Sequence, residues 1–258
     1  MLKFSANLSL MFTELNFLER FAAAKKAGFN GIEFFFPYSY DKNVLSDQLE
    51  KNDQVQVLFS LPPGDWEAGE VGIACHPDRV EEFQEGVGIA IEYAIALNCN
   101  LINCIAGITP AGVDPDKVFD TYLSNVRYAA SELGKVGKDL VIEPVNTYHR
   151  PGFYLNRTDQ AVEIIDQIGV NSLGLQYDVY HAQVMEGNLS STIKANLEII
   201  RHIQIADNPG HHEPGTGEIN FNYLLPFIDR IGYKGWIGCE YEPSATTVEG
   251  LGWLNSHI

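Results

Sequence analysis

The segment Gly235-Trp236-Ile237-Gly238-Cys239-Glu240-Tyr241 reads as a short β-strand that runs into a carboxylate near its C-terminal end. Two earlier stretches have the same form, Leu140-Val141-Ile142-Glu143-Pro144 and Leu175-Gln176-Tyr177-Asp178, and a third, Ile203-Gln204-Ile205-Ala206, carries an amide in the corresponding place. Working outward from these, β-rich runs recur at residues 3–9, 31–36, 55–60, 101–106, 140–145, 173–179, 201–206 and 235–241. Between them, Phe17 to Ala27, Arg79 to Leu97, Val118 to Leu133 and Thr158 to Ile168 place apolar residues at three- and four-residue steps, as helices covering a sheet do. Gly28, Gly169 and Gly232 follow helical runs where C-terminal caps fall. The alternation predicts an α/β fold, a (β/α)8 TIM barrel forming one domain over residues 1–258, a length close to the roughly 250 residues typical of that architecture. An open doubly wound sheet is the alternative, and it would leave two of the strands as edges.

In a parallel barrel, catalytic groups come from the C-terminal strand ends and the loops that follow. Neighbouring strands lie about 4.8 Å apart, so side chains from four consecutive strands reach one point inside the rim. Glu143, Asp178, Gln204 and Glu240 are therefore the expected metal ligands, because three carboxylates brought that close repel one another unless a cation neutralises them. An all-oxygen set favours a divalent metal of the hard kind, Mg2+ first and Mn2+ next, with Zn2+ or Co2+ also accommodated.

A divalent ion chelating a carbonyl and its neighbouring hydroxyl acidifies the carbon-bound proton, and a carboxylate then removes it. Glu143 and Glu240, on strands separated by two others, are the expected acid–base pair. Asp178 is then chiefly a ligand, and His181 is placed to orient or protonate a substrate oxygen. His202 lies one layer deeper behind Gln204, as a supporting partner or as packing. Two long loops face the same end. The first, from Leu61 to Asp78, carries Trp66 and suits a lid. The second, from Asn208 to Glu218, carries His211 and His212, and its glycines suit turns.

Lys and Arg number 17 against 34 Asp and Glu, and the net charge of −17 argues against a nucleic-acid or anionic-membrane partner. Hydrophobic residues make up 45%, enough for a large core. The four cysteines form no CxxC pair, which argues against a zinc knuckle or disulfide framework and fits a reducing, cytoplasmic setting. No apolar run approaches the roughly 20 residues that span a bilayer.

The stretches Phe4-Ser5-Ala6-Asn7-Leu8-Ser9, Leu61-Pro62-Pro63-Gly64-Asp65-Trp66, Glu143-Pro144-Val145-Asn146, Tyr177-Asp178-Val179-Tyr180-His181, His202-Ile203-Gln204-Ile205-Ala206-Asp207 and Gly215-Thr216-Gly217-Glu218-Ile219-Asn220 resemble the hydroxypyruvate isomerase family of the xylose-isomerase-like barrels. The resemblance runs nearly end to end and finishes in Gly238-Cys239-Glu240-Tyr241. It implies interconversion of hydroxypyruvate and tartronate semialdehyde, a small hydroxy-carbonyl acid partner, metal ligands at Glu143, Asp178, Gln204 and Glu240, and an acid–base pair at Glu143 and Glu240. Sugar epimerases of the wider superfamily usually have His where Gln204 stands, which argues against borrowing their ketohexose specificity, while a ketose 3-epimerase of the same superfamily stays an alternative. A related branch isomerises 2-oxo-tetronate, one carbon longer, and the ligand set does not separate the two acids. His181, Asn146, Trp66 and His212 are the expected substrate contacts, with His149, Arg150 and His211 further candidates for the carboxylate. Other classes are an endonuclease for damaged DNA on the same scaffold and a non-catalytic sugar-acid binding protein. A homo-oligomer is compatible with the sequence, which does not determine it.

Overall fold

A computed structural model describes residues 2–256; Met1, His257 and Ile258, at the ends of the expected domain, lie outside the described residues. Eight parallel strands close into a barrel in chain order: β1 (Lys3–Asn7), β2 (Gly31–Glu33), β3 (Val55–Ser60), β4 (Leu101–Cys104), β5 (Asp139–Ile142), β6 (Leu173–Asp178), β7 (Ile200–Ile205) and β8 (Trp236–Cys239). The last strand pairs with the first, Ser5 opposite Gly238. The open doubly wound alternative is thereby excluded.

Helices α1 (Phe17–Lys26), α2 (Lys42–Asn52), α3 (Val80–Ala96), α4 (Pro115–Lys135), α5 (Thr158–Ile168), α6 (Val179–Met185), α7 (Leu189–Ala195) and α8 (Phe221–Arg230) form the outer layer. α4 shows why: Tyr122, Val126, Ala129 and Leu133 fall on one stripe and are buried against the barrel. Asp114 caps its start by accepting from the Asp116 amide, and Pro115 at the first helical position forgoes an N–H that has no helical partner.

Several strands stop earlier than their apolar runs. β5 ends at Ile142 and β8 at Cys239, so Glu143 and Glu240 are the first residues beyond their strands. Pro144 has no N–H to offer a ladder, which closes β5 there.

The interior is polar where a barrel core is commonly filled by branched aliphatics. On β6 and β7, alternation sends Gln176, Asp178, His202 and Gln204 to one face, while Tyr177 and Ile203 go to the other, and all six are buried. The register sets Gln176 opposite His202 and Asp178 opposite Gln204. Gly238 on β8 makes room for this interior, since a Cβ there would run into the Glu33 carboxylate.

Candidate active site

A cavity of about 400 Å³ opens at the C-terminal end of the barrel. Glu143, Gln204, Glu240, His181, Trp66 and Arg150 are among the residues that line it. Asp178 lies just beneath, at the junction of β6 and α6, where its Oδ1 accepts the His181 backbone N–H at 2.9 Å and caps the helix.

Two groups of polar side chains meet there. In the first, Glu143, Asp178 and His181 each offer a ligand atom within 4.8 Å of the others, the spacing of groups that share one metal ion. Glu143 Oε2 accepts from Asn103 Nδ2 at 2.9 Å, but Glu143 Oε1 and Asp178 Oδ2 are buried without a hydrogen-bond partner. In the second, Glu240 Oε2 accepts from Asn7 Nδ2 at 2.8 Å and from Gln204 Nε2. Gln204 Nε2 also donates to Glu33 Oε1 at 2.9 Å, and Gln204 Oε1 accepts from Gln176 Nε2.

Burial, with the charge of Asp178 added, pushes the Glu143 carboxyl upward. Burial and the charges of Glu143, Asp178 and Glu33 push Glu240 well up. Asp178 is raised by burial as well. Buried carboxylate oxygens without donors are costly, and a cation among them removes both the missing partner and the mutual repulsion. The residues present therefore fit a divalent metal.

His181 is fixed by Asn146. Asn146 Oδ1 accepts from the backbone N–H groups of Tyr148 and His149 at 3.1 and 2.8 Å, which leaves Nδ2 to donate to His181 Nδ1 at 2.7 Å. Burial, helped by His149 and Arg150, lowers the His181 pKa to about 3. The ring is therefore neutral with its proton on Nε2, and in this state it is a donor toward the cavity and not the third ligand that its distance to Glu143 and Asp178 would otherwise allow.

Trp66 lines the cavity with its ring 5.0 Å from Phe36, and the Arg150 guanidinium lies 6.0 Å over its face. Asn146 stands behind His181 and does not line the cavity. His212 does not line it either: its Nδ1 sits 2.7 Å from the Glu242 carbonyl, while the neighbouring His211 takes the wall position. His211 adopts φ 59, meets Tyr180 edge-on and lies nearly parallel to the His181 ring. Burial lowers its pKa to about 4, against the opposing pull of Asp178.

Glu33, Asn7, Asn103 and Gln176 were not among the expected site residues. The signal was present, because each falls within one of the eight β-rich runs as a polar residue in an apolar stretch, the feature that singled out Gln204. Glu33 is fully buried, with Oε2 accepting from Ser5 Oγ at 2.8 Å. His202 Nε2 lies 2.9 Å from the same oxygen, at ion-pair distance but off the line of a hydrogen bond.

A closed βα barrel whose small cavity is faced by buried carboxyls, raised in pKa by their burial, has the architecture of an acid–base enzyme for a small molecule. Comparison with known proteins gives the family. The xylose isomerase-like TIM barrel model matches residues 21–257. The chain is 50% identical over 257 residues to hydroxypyruvate isomerase of Escherichia coli K12, covering 100% of both chains. It is 44% identical over 256 residues to 2-oxo-tetronate isomerase of Cupriavidus necator H16, covering 99% of this chain and 98% of that one. A crystal structure from Brucella melitensis titled AP endonuclease, family 2 superposes with a TM-score of 0.97 at 42% identity, over 100% of this chain and 99% of that one. The chain belongs to the hydroxypyruvate isomerase family of the xylose isomerase-like TIM barrels, and it is an isomerase.

Proposed function

We propose that the chain interconverts hydroxypyruvate and tartronate semialdehyde, in a metal-dependent way, by proton transfer through a cis-enediolate. The observation that carries this reading is the pair of buried carboxyls, Glu143 and Glu240, raised in pKa and facing one cavity from strands three steps apart around the barrel. The names of the relatives support the substrate class.

Glu143, Asp178, Gln204 and Glu240 would hold the cation, Mg2+ or Mn2+ from their oxygen donors. Bound there, it supplies Lewis-acid polarisation of the substrate carbonyl and the neutralising charge for the carboxylates. The chain's own groups do the rest. One carboxylate of the Glu143 and Glu240 pair takes a proton from C3 of hydroxypyruvate, and the C–H electron pair becomes the C2–C3 double bond. His181 Nε2–H, aimed by Asn146, donates to the oxygen on which charge grows. The other carboxyl delivers a proton to C2, and the O3 proton passes to O2, so that the carbonyl forms at C3 and O2 becomes the product hydroxyl. Trp66 and its loop cover the mouth and limit access of water to the enediolate.

The test is proton NMR of hydroxypyruvate in D2O with Mg2+ or Mn2+, with 2-oxo-tetronate in parallel and Glu240→Gln as control. We expect tartronate semialdehyde with solvent deuterium on carbon, and a loss of about 10²–10⁴-fold in the variant. Preference for the four-carbon acid would keep the site and change the substrate. Inertness toward both acids, or undiminished exchange in Glu240→Gln, would defeat the proposal.

A further inference from the structure

The walls of the cavity present an electrostatic difficulty to any carboxylate substrate. Glu143, Glu240 and Glu242 line it. A cation among the ligands offsets part of that charge at the reacting end only. Recognition of a carboxylate at the other end needs its own positive partner.

Arg150 is the single Lys or Arg among the lining residues. It is exposed on the loop that follows β5, and among the described residues its guanidinium makes no ion pair. Among the described residues its guanidinium lies over the face of Trp66, 6.0 Å from the ring centroid. Arg79, at the start of α3, is by contrast committed to Glu70 and Glu82. An arginine that keeps its donors free on the wall of an acidic cavity is set up for an anionic ligand, because its planar fork matches a carboxylate.

The backbone beneath it is held. The Arg150 N–H donates to the Asn146 carbonyl at 3.2 Å, and the Arg150 carbonyl accepts from Phe153 at 3.0 Å. The turn is pinned to the neighbouring loop by Thr109 N–H to the Gly152 carbonyl and Tyr154 N–H to the Gly107 carbonyl, both 2.9 Å. Asn146, which accepts from Tyr148 and His149 and donates to His181, belongs to the same turn. One rigid loop thus carries both the guanidinium and the support of the His181 donor. The Arg150 charge is also near enough to disfavour a second positive charge on His181.

We infer that Arg150 is the specificity residue that binds the carboxylate of the substrate, with Trp66 holding the guanidinium over the mouth from the opposing loop. This rests on the proposed reading of the substrate as a short hydroxy-carbonyl acid. The ligand class it selects is a monocarboxylate of three or four carbons whose far end reaches Glu143 and Glu240. A neutral ketose of the same length lacks the group that Arg150 recognises.

The test uses the Mn2+-loaded full chain, as wild type, Arg150→Lys and Arg150→Gln. Equilibrium binding of D-glycerate is measured by calorimetry, with glycerol as the uncharged control, beside the hydroxypyruvate kinetics. We expect Arg150→Gln to lose about 100-fold in glycerate affinity and to raise KM more than it lowers kcat. Arg150→Lys should recover part of the affinity, with glycerol binding and the thermal midpoint unchanged throughout. Glycerate binding equal in wild type and Arg150→Gln, or absent from wild type, would overturn the inference while leaving the reaction to stand or fall on its own assay. Arg150-dependent glycerate binding in a chain that converts neither acid would retain the carboxylate site and remove the proposed reaction.

Discussion

Glu33 has no solvent exposure, and its two oxygens face different partners: Oε2 meets Ser5 and His202, and Oε1 meets the amide nitrogen of Gln204. A primary amide has two ends of nearly equal size, and only the oxygen can coordinate a metal. With Nε2 drawn to Glu33, Oε1 is the atom turned the other way, toward Gln176 and the Glu143 side of the site. If Gln204 holds the proposed cation, Glu33 would act on it through Gln204, as outer partners of metal ligands do. The variant Glu33→Gln presents an amide where a carboxylate stood and removes the preference for the present orientation. We expect its Mn2+ affinity, followed by electron paramagnetic resonance titration, to drop by about 10- to 100-fold. An unchanged titration would mean that Gln204 is oriented by its other neighbours.

At the scale of elements, β6 and α6 meet without a loop because Asp178 both closes the strand and caps the helix. Its Oδ1 is used by the cap, and Oδ2 is left buried and unpartnered. Asparagine caps a helix about as well as aspartate, so Asp178→Asn separates the two duties. The expected outcome is a thermal midpoint at or above that of the wild type, since burying an amide costs less than burying a charge. Mn2+ binding and hydroxypyruvate turnover should be lost together. A lower midpoint with intact metal binding would reduce Asp178 to a capping residue. This junction also explains which elements were legible in advance. The long helices α1, α3, α4 and α5 declare themselves by apolar spacing. α6 and α7, at seven residues each, span too few turns for a periodicity to register, and α2 buries only Leu45 and Leu49.

For the whole molecule, the clustered carboxyls leave a thermodynamic trace. Glu143 and Glu240 stand above their ordinary value of 4.5 in the folded chain without metal. Above about pH 4.5 the folded chain thus retains protons that the unfolded chain has released, and stability falls as pH rises. A cation that binds only the folded state reverses this, adding about 2.7 kcal/mol at a hundred times its Kd. Metal-stripped protein should show a thermal midpoint that declines between about pH 5 and 8, and Mn2+ should remove most of the decline. A flat profile without metal would contradict the upward displacement of these carboxyls.

No helix among the described residues is long and apolar enough to cross a membrane, and the four cysteines are free and buried. The eight strands were legible as eight because a β-strand buried on both faces needs a run of β-forming residues, and that requirement is local. Glu143, Asp178, Gln204 and Glu240 stood out for the same reason: a polar group at a strand end is visible in four or five letters. What the sequence determined was the set of elements and the side chains delivered at their ends. Closure of β8 on β1, the choice of His211 over His212 for the wall, the support of His181 by Asn146 and the place of Glu33 beneath Gln204 were decided only by tertiary structure. Each depends on a distance between residues far apart in the chain, and such distances arise from packing and register, which no local pattern encodes.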